Sequence, residues 1–275
     1  MITASIVLYK TKEEELNRVI RCSLDSIIDI VYVVDNSPTD SLRQCVTSFK
    51  SDRISYIYGQ GNVGFGSGNN IAIKEAISNG SKYHIILNPD IIFNNDSITI
   101  LQDFLDSHSD IGLIAPRLEY PDGRFQAAAM LLPSPFVTFG RRLLPQKYVD
   151  RINREFELAD YDLTVPREVP NVCGCFMIVR LSVLRLSGLF DERFFMYFED
   201  FDFVRRVHQY SRVVYCPKTT VIHAHGNEHR KSKFLLKAGI KSGIQYFNKW
   251  GWLFDLERRK VNRFAKSDSS IIIDN

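Results

Sequence analysis

The sequence predicts an α/β protein in which a mostly parallel sheet is flanked by helices. Short apolar runs typical of buried strands alternate with segments of helical periodicity in the first half of the chain, and the runs end in polar or glycine-rich residues. The chain has 275 residues, of which 45% are hydrophobic and 24% charged, so it is also large enough to bury the core of such a sheet.

The elements of the first half follow one another in a regular order. We expect strands over residues 2–9, 30–34, 54–58 and 83–87, and helices around 41–49 and over 71–78. Another helix is expected after a capping box at residues 11–14, with apolar positions that include Leu16, Val19, Ile20 and Leu24. Alternation of this kind gives parallel strands with helices on both faces. Ligands of such sheets bind beyond the carboxyl ends of the strands, which directs attention to the residues after Tyr9, Val34, Tyr58 and Leu87.

The second half is less regular. After a helix over residues 96–108, the stretch 130–170 is polar and interrupted by prolines, and we interpret it as an insertion or a mobile loop. A strand over residues 172–180, a helix over 199–209, short strands over 213–215 and 220–223 and a helical remainder from residue 231 complete the prediction.

Charge and composition exclude several classes of protein. A net charge of +3, without basic residues interleaved with aromatics before the last fifth of the chain, argues against a nucleic-acid partner. No apolar stretch approaches the ~18 residues of a membrane span, and the first residues resemble a buried strand more than a signal peptide. Five cysteines without CxxC pairing fit a reducing compartment, so we expect a cytoplasmic location.

The second strand ends in Asp35 and Asn36. An aspartate here could accept a hydrogen bond from the imide N–H of a pyrimidine base. The alternative is an Asx turn that leads into the next helix.

Residues 59–64 match the dinucleotide fingerprint GxGxxG, but Gly66 and Gly68 follow where a helix should be established. An NAD(P) site is therefore disfavoured. A loop that approaches another nucleotide closely, through Gly64 and Phe65, with Asn69 and Asn70 at a helix start, fits better.

Asn88 and Asp90 directly follow a buried strand, where a carboxylate could hold Mg²⁺ or Mn²⁺ against a diphosphate. The alternative is a turn built on Pro89. His223 could complete such a metal site, whereas His225 and His229 have other possible roles.

Three acids, Glu199, Asp200 and Asp202, lie among aromatic residues. Apolar surroundings would raise the pKa of a carboxyl group toward that of a useful general base. Alternatively, these acids only complement the dipole of the helix that begins there.

In order, these motifs resemble the inverting glycosyltransferases of family 2, and within it the rhamnosyltransferase-like branch of O-antigen and capsule synthesis. The residues concerned are 34–37 (Val-Asp-Asn-Ser), 62–66 (Asn-Val-Gly-Phe-Gly) with Asn69 and Asn70, 87–90 (Leu-Asn-Pro-Asp), 188–191 (Gly-Leu-Phe-Asp), 195–202 (Phe-Met-Tyr-Phe-Glu-Asp-Phe-Asp) and His223. The resemblance extends from residue 2 to about residue 249 and is weakest over residues 130–170.

The resemblance implies a GT-A-type, Rossmann-like fold and a set of site residues. We expect a glycosyltransferase domain over residues 1–229, with a nucleotide-sugar half (1–116) and an acceptor half (117–229), followed by a basic amphipathic segment (230–275). The expected nucleotide-sugar contacts are Tyr9, Asp35, Asn36, Gly64, Phe65, Asn69, Asn70 and Asn88; the expected metal ligands are Asp90 and His223. Asn88 replaces the first acid of the family's DxD pattern, which leaves Asp90 as the carboxylate ligand.

The activity implied is transfer of a sugar with inversion, with Asp200 as catalytic base, Glu199 orienting the acceptor or backbone and Asp202 in a structural contact. The donor would be dTDP-L-rhamnose, or else a UDP-hexose or UDP-galactofuranose, and the acceptor a glycan or lipid-linked oligosaccharide. A silent sugar-nucleotide sensor, a nucleotidyltransferase and a glycosidase are the alternatives from other classes. The carboxylates disfavour the first, the lack of a glycine-rich loop after Tyr9 the second, and the nucleotide-side motifs the third.

Residues 233–263 place Lys233, Lys237 and Lys241 beside Leu236, Ile240 and Phe247. Such a basic amphipathic helix could lie on an anionic membrane surface, which would make the protein peripheral at the inner face of the cell membrane. Packing of the same helix on the domain is the alternative.

Overall fold

The computed structural model describes residues 1–224 and 233–272, and strands occur throughout the first of these ranges. In chain order they are β1 (Ile2–Leu8), β2 (Ile30–Asp35), β3 (Ile54–Tyr58), β4 (Tyr83–Leu87), β5 (Ile91–Ile92), β6 (Ile111–Glu119), β7 (Phe125–Gln126), β8 (Ala129–Met130), β9 (Arg167–Glu168), β10 (Asn171–Val172), β11 (Phe176–Arg180) and β12 (Arg212–His223). The four strands predicted for the first half are confirmed.

Helices alternate with these strands and continue to the C-terminal region. They are α1 (Glu13–Leu24), α2 (Arg43–Ser48), α3 (Phe65–Ser78), α4 (Ser97–Ser107), α5 (Pro135–Thr138), α6 (Gln146–Phe156), α7 (Leu181–Ser187), α8 (Glu199–His208), α9 (Lys233–Trp250) and α10 (Leu256–Ala265). Short 3-10 helices cover Gly140–Leu143 and Asp268–Ser270.

One large sheet organises the fold, with the order β3-β2-β1-β4-β11-β6-β12-β5. The strands β1 to β4 are mutually parallel, and β6 is parallel to β12. The central strand β11 runs antiparallel to both of its neighbours. The prediction of a mostly parallel α/β sheet is confirmed, with β11 reversed at its centre and the short strands β5, β7 and β9 antiparallel at its periphery.

The carboxyl ends of β1, β2, β4 and β12 meet at one edge of the sheet because parallel strands end on the same side. Phe176, the first residue of β11, pairs with Leu87, the last residue of β4, so the residues that precede the reversed strand reach this same edge. This edge therefore brings together residues from five separate parts of the sequence.

A row of hydrogen-bonded polar side chains is buried inside the sheet. Thr3 Oγ1 is 2.8 Å from His84 Nδ1, Ser5 Oγ is 3.0 Å from His84 Nε2, and the Ser5 hydroxyl donates to Asn69 Oδ1 at 2.6 Å. Burial lowers the pKa of His84 to about 3, so the imidazole is neutral. These hydrogen bonds connect β1 and β4 to α3.

The second half contains more regular structure than its sequence indicates. The stretch expected to be an insertion or mobile loop folds as α5, a 3-10 turn and α6, so the loop interpretation is wrong. The strand expected over residues 172–180 is interrupted at Gly174, and the two short strands expected over 213–223 are the single strand β12 with a register shift between Cys216 and Thr220.

Helix α3 begins at Phe65, six residues before the predicted start, so Asn69 and Asn70 lie in its second turn. The glycines that weaken the helical pattern are there for close packing. A Cβ at Gly66 would lie 3.0 Å from the Phe190 side chain, and one at Gly68 would lie 2.9 Å from Val7. Tertiary contacts thus override the helix propensity of glycine.

The C-terminal helices pack on the rest of the chain. Tyr246 and Phe247 of α9 form a small apolar cluster with Phe194, and a buried ion pair joins Arg205 of α8 to Asp255. Packing on the domain therefore accounts for the C-terminal half of α9, and the proposed domain boundary at residue 230 stays a prediction. Within the described ranges no helix is both long and apolar enough to cross a membrane.

We expect Gly64→Ala to destabilise the protein by at least ~2 kcal/mol more than Gly80→Ala. Both glycines have a positive φ, +89° and +75°, so both alanines are strained, but only a Cβ at Gly64 meets another atom, Phe195 O at 2.3 Å. Urea denaturation of the two variants measures the combined effect of this contact and of the ψ of 175° at Gly64, which only glycine adopts readily. Equal losses of stability would show that the backbone shifts at no cost.

Candidate active site

Asp35 is fully buried at the end of β2, and both its carboxylate oxygens have partners. The Ser37 amide donates to Oδ1 at 2.9 Å, which is the Asx turn considered as an alternative, and the Tyr56 hydroxyl donates to Oδ2 at 2.7 Å. Burial, this hydrogen bond and the Asp35 charge raise the pKa of Tyr56 above its usual range. Contact of Asp35 with a base stays a prediction, and Tyr56, on neighbouring β3, was missed from the sequence.

Asn36 connects the end of β2 to the glycine-rich loop. Its Nδ2 donates to Gly64 O at 3.1 Å, and its Oδ1 accepts from Gln60 Nε2 at 3.0 Å. Because the loop is held from both of its ends, its backbone is positioned before any ligand binds. Nothing in the sequence except its place in the loop indicates that Gln60 makes this contact.

Gly64 and Phe65 form the junction between this loop and the segment that carries the acids. The Phe65 amide, the first of α3, donates to Phe195 O at 3.2 Å. Gly64 lies so close to the same carbonyl that a side chain would collide with it. The distance between a donor site along this loop and the acidic segment is therefore fixed by the backbone.

Asn69 and Asn70 are buried, and both use their side chains within the protein. Asn69 accepts from Ser5 and donates to Phe65 O. Asn70 donates to Phe190 O at 2.9 Å and accepts from the Phe190 amide at 2.9 Å. Direct contact with a nucleotide sugar stays a prediction for both, and the geometry gives them the role of holding the loop and the segment before the acids.

Tyr9 and Asn88 follow the ends of β1 and β4. The Tyr9 side chain is half-exposed. The backbone amide of Asn88 donates to Cys175 O at 2.8 Å, and the side-chain Nδ2 of Asn88 is 3.5 Å from His223 Nε2. Both positions are compatible with the predicted donor contacts.

The predicted metal ligands Asp90 and His223 lie together because β5, which follows Asp90, pairs with the end of β12. Asp90 Oδ1 is 3.3 Å from His223 Nε2, and the Gln126 side chain hydrogen-bonds His223 Nδ1 at 3.0 Å. Burial opposes a charge on His223, but the hydrogen bond and the charge of Asp90 outweigh it, so the pKa of this histidine is raised. Gln126 was not found from the sequence.

A carboxylate oxygen and an imidazole nitrogen at this separation could ligate one divalent ion, since each would be about 2.1 Å from it. Residues 1–224 and 233–272 contain no group of three or more histidine, cysteine or acidic side chains that could hold a metal. Asp90 and His223 would therefore form a two-ligand site, with substrate phosphate and water as further ligands. His225 and His229 lie outside the described residues.

Glu199 and Asp200 begin α8 after a turn with unusual backbone geometry. Tyr197 and Phe198 have φ values of +67° and +65°, and two consecutive non-glycine residues in the left-handed region are uncommon. Ser242 of α9 donates to Met196 O at 2.8 Å and helps to hold the turn. Strained backbone of this kind is concentrated at functional sites.

The two carboxyl groups are in a poorly solvated environment. Burial raises the pKa of Asp200 to about 6, although the amides of Phe201 and Gly174 donate to it. Burial, and then the charge of Asp200, raise the pKa of Glu199 well above its usual range. Glu199 Oε2 is buried without a hydrogen-bond partner in the described part of the chain.

The residues between β10 and β11 pack against Asp200. A Cβ at Gly174 would lie 3.1 Å from Asp200 Cβ, so a larger residue there would push Asp200 by a few tenths of an ångström. A hydrogen bond from Cys175 lowers the pKa of Cys173, with a further contribution from the charge of His223. Cys173 is thus close to the metal candidates, and neither it nor Gly174 was predicted as part of the site.

Asp202 differs from the other two acids. It is fully buried, accepts from Arg206 Nε at 2.9 Å and Trp250 Nε1 at 2.8 Å, and forms an ion pair with Lys249 Nζ at 2.7 Å. The expectation that Asp202 makes a structural contact is confirmed, because it joins α8 to α9.

A cleft of about 900 Å³ has Glu199 and Asp200 in its lining. The rest of its wall is largely apolar and includes Val137 and Phe139 from the α5 region and Leu236 and Ile240 from α9. Its size suits a drug-sized or oligosaccharide-sized ligand. The segment interpreted as an insertion thus forms one wall of the cleft.

A sequence model described as glycosyl transferase family 2 matches residues 4–186. Low-salt glycan biosynthesis hexosyltransferase Agl10 of Haloferax volcanii is 30% identical over 207 residues, which are 73% of this chain but 59% of that protein. The N-acetylglucosaminyl-diphospho-decaprenol L-rhamnosyltransferase of Mycobacterium tuberculosis is 27% identical over 78% of this chain and 76% of its own. Rhamnosyltransferase WbbL of Escherichia coli is 29% identical over 78% and 81%.

Two solved structures share the fold. GalNAc-T7 with UDP, GalNAc and Mn²⁺ has a TM-score of 0.62 at 13% identity, over 81% of this chain and 42% of that one. Residues 1–349 of S. aureus TarS in complex with UDP have a TM-score of 0.58 at 14% identity, over 95% of this chain and 70% of that one. The predicted GT-A-type fold is confirmed.

We expect Asp200→Asn to be more stable than the wild type above about pH 6. Below about pH 4 the carboxyl group is protonated in both the folded and the unfolded state; between pH 4 and 6 only the unfolded state releases the proton, so wild-type stability falls as the pH rises. The gain is up to ~3 kcal/mol, since each pKa unit corresponds to about 1.4 kcal/mol. Thermal unfolding of both proteins at pH 4 and pH 8 measures it, and an equal difference at both values would contradict the pKa shift.

Proposed function

The chain belongs to glycosyl transferase family 2, and on this premise we propose that it transfers L-rhamnose from dTDP-L-rhamnose, with inversion, to a lipid-linked glycan in bacterial surface polysaccharide synthesis. One observation carries the mechanism: Asp200, with a pKa of about 6, lines the cleft and accepts from the Gly174 amide, next to Cys175, whose carbonyl accepts from Asn88 at the donor edge. The names of two relatives, both rhamnosyltransferases, support the choice of sugar.

Asp200 acts as the general base. It takes the proton of an acceptor hydroxyl while that oxygen forms its bond to the anomeric carbon, and the bond from this carbon to the diphosphate breaks on the opposite face. A pKa of about 6 leaves the carboxylate ionised at neutral pH and more basic than an ordinary aspartate. A single displacement of this kind inverts the anomeric configuration and requires no covalent enzyme intermediate.

Glu199 has the complementary role of a neutral carboxyl group. Its raised pKa favours the protonated form, and its Oε2, which has no partner in the described residues, is free to bind a hydroxyl of the acceptor. Two neighbouring carboxyl groups with different environments thus divide the work of orientation and proton transfer.

On the donor side, most of the residues proposed to contact the nucleotide sugar are uncharged. Asp35 and Asn36 mark the base and ribose end, the backbone at Gly64 and Phe65 lies along the nucleotide, and Asn88 and Tyr9 face the sugar diphosphate. Asp90 and His223 would hold Mg²⁺ or Mn²⁺ beside the diphosphate, and the ion would stabilise the negative charge that grows on the leaving group. The GalNAc-T7 structure with Mn²⁺ and UDP is consistent with such a cofactor in this fold.

A UDP-hexose or UDP-galactofuranose donor is the second candidate, which the description of Agl10 as a hexosyltransferase favours. Metal-dependent hydrolysis of a panel of dTDP- and UDP-sugars distinguishes the two. The acceptor proposal rests on the apolar wall of the cleft and on the decaprenyl-linked acceptor in the name of the Mycobacterium tuberculosis relative. Such an acceptor would place the protein in the cytoplasm at the inner face of the cell membrane.

We expect transfer to require a divalent cation and Asp90→Asn to remove most of it. Loss of the carboxylate leaves the charge of the departing diphosphate less compensated, which costs several kcal/mol, about 10²-fold or more in kcat/KM. Asp122→Asn, in an exposed turn, is the matched control. Initial rates with and without EDTA test the proposal, and full turnover in excess EDTA would contradict it.

We expect Asp200→Asn to lower kcat by roughly 10²–10⁴-fold with little change in donor affinity, since the base acts on the acceptor proton. Wild-type kcat/KM should fall as the pH drops below about 6, when Asp200 becomes protonated. Glu199→Gln should have a smaller effect, and Asp202→Asn should mainly reduce stability. Donor binding is followed separately by calorimetry; near-normal turnover of Asp200→Asn with an inactive Glu199→Gln would reassign the base.

A further inference from the structure

The loop between α9 and α10 exposes an unusual amount of apolar surface. Trp252, Leu253, Phe254 and Leu256 are 39%, 70%, 86% and 75% exposed in the part of the chain that the structure describes. Four large apolar side chains in five consecutive positions form a patch, and patches of this kind on soluble proteins mark interaction sites. We call these five residues, 252–256, the apolar loop.

The apolar loop is held in this conformation from inside. Asp255, its one polar residue, is buried and accepts from Arg205 Nη1 at 2.8 Å and Nη2 at 2.6 Å. Asp255 also accepts from the Arg258 amide at 2.9 Å and so caps α10. Because Asp255 points inward, its neighbours Phe254 and Leu256 are fixed toward the outside.

Positive charge is concentrated in the sequence segment that contains the apolar loop, although Lys249, Arg258 and Lys266 of that segment are ion-paired. Between Lys233 and Lys266 the sequence has nine lysine and arginine residues and two acidic residues, whereas the whole chain has a net charge of only +3, so the remainder is net negative. Arg259, Lys260 and Arg263 of α10 are exposed directly after the loop. The asymmetry favours a partner that is both apolar and negatively charged.

We propose that the apolar loop inserts into the surface of an anionic lipid bilayer. Its side chains enter the boundary between headgroups and acyl chains, and the lysine and arginine residues around it bind the phosphates. This differs from the expectation that α9 itself lies on the membrane: Phe247 of that helix is buried against the domain, whereas Leu236 and Ile240 are exposed. The proposal does not depend on which reaction the protein catalyses.

The position of the apolar loop fits a substrate that comes from the bilayer. The Trp252 ring stacks on Phe139 with 6.3 Å between ring centroids, and Phe139 lines the cleft. Arg258 donates to the carbonyl of Pro133, another lining residue. If the acceptor is lipid-linked, as the proposed function holds, it meets the cleft beside the point of insertion.

The test is flotation with vesicles of 30% phosphatidylglycerol in phosphatidylcholine. We expect the chain to float with them and the variant Leu253→Ser/Phe254→Ser/Leu256→Ser to bind at least ~1000-fold more weakly, since each of the three exposed apolar side chains contributes about tenfold or more. Leu186→Ser/Tyr210→Ser, which replaces exposed apolar residues elsewhere, is the matched control and should bind normally. Arg259→Glu/Lys260→Glu/Arg263→Glu should also weaken binding, as should vesicles of pure phosphatidylcholine.

Trp252 reports insertion directly. Lipids brominated on their acyl chains should quench the tryptophan fluorescence, and Trp252→Phe should remove most of that quenching because Trp250 is bonded to Asp202 inside the domain. Circular dichroism melting of each variant checks its fold.

Three results would overturn the proposal. The first is that the vesicles do not retain the chain. The second is that the serine variant binds them as the wild type does. The third is that sedimentation velocity shows a dimer which the serine variant dissociates, since the apolar loop would then be a contact between two copies. Transfer activity is measured separately, so a wrong donor or acceptor leaves these outcomes unchanged.

Discussion

The hydrogen bond from the Phe65 amide to Phe195 O is the contact on which the geometry of the site depends. It joins the nucleotide-side loop to the segment that precedes Glu199 and Asp200, although the two are far apart in the sequence. Gly64 makes the approach possible because it has no side chain to collide with the carbonyl. The distance from a bound donor to the catalytic carboxylates is therefore set by the folded backbone rather than by flexible side chains.

The acidic end of the site is expensive in free energy, and the C-terminal helices compensate for it. Residues such as Tyr197 and Phe198 cost about 1–2 kcal/mol each in the left-handed region, and Glu199 adds a buried carboxyl group without a full set of partners. The contacts of α9 with Met196 and Asp202 hold this arrangement. The C-terminal segment is thus part of the support of the site, whatever else it binds.

The sequence was most informative where chemistry and topology coincide. Asp35 and Asn88 could be placed at one edge because parallel strands end together, whereas the family was indicated by the resemblance of the motifs taken in order. The predicted start of α3 was wrong because the packing of Gly66 against Phe190 allows the helix to begin earlier than the glycines indicate. Gln126 and Gly174 could not be predicted, since their importance comes from contacts with His223 and Asp200, each formed between distant parts of the chain.

His84, at the centre of the sheet, sets a limit on the acid tolerance of the protein. Folded, its imidazole stays neutral down to about pH 3, whereas in the unfolded chain it takes up a proton near its ordinary pKa of 6.5. Acidification below pH 6.5 therefore draws the chain toward unfolding through a residue that no solvent reaches. Between pH 6 and 4 this loss opposes the stability that protonation of Asp200 returns, so the two buried groups partly offset each other in the acid stability of the fold.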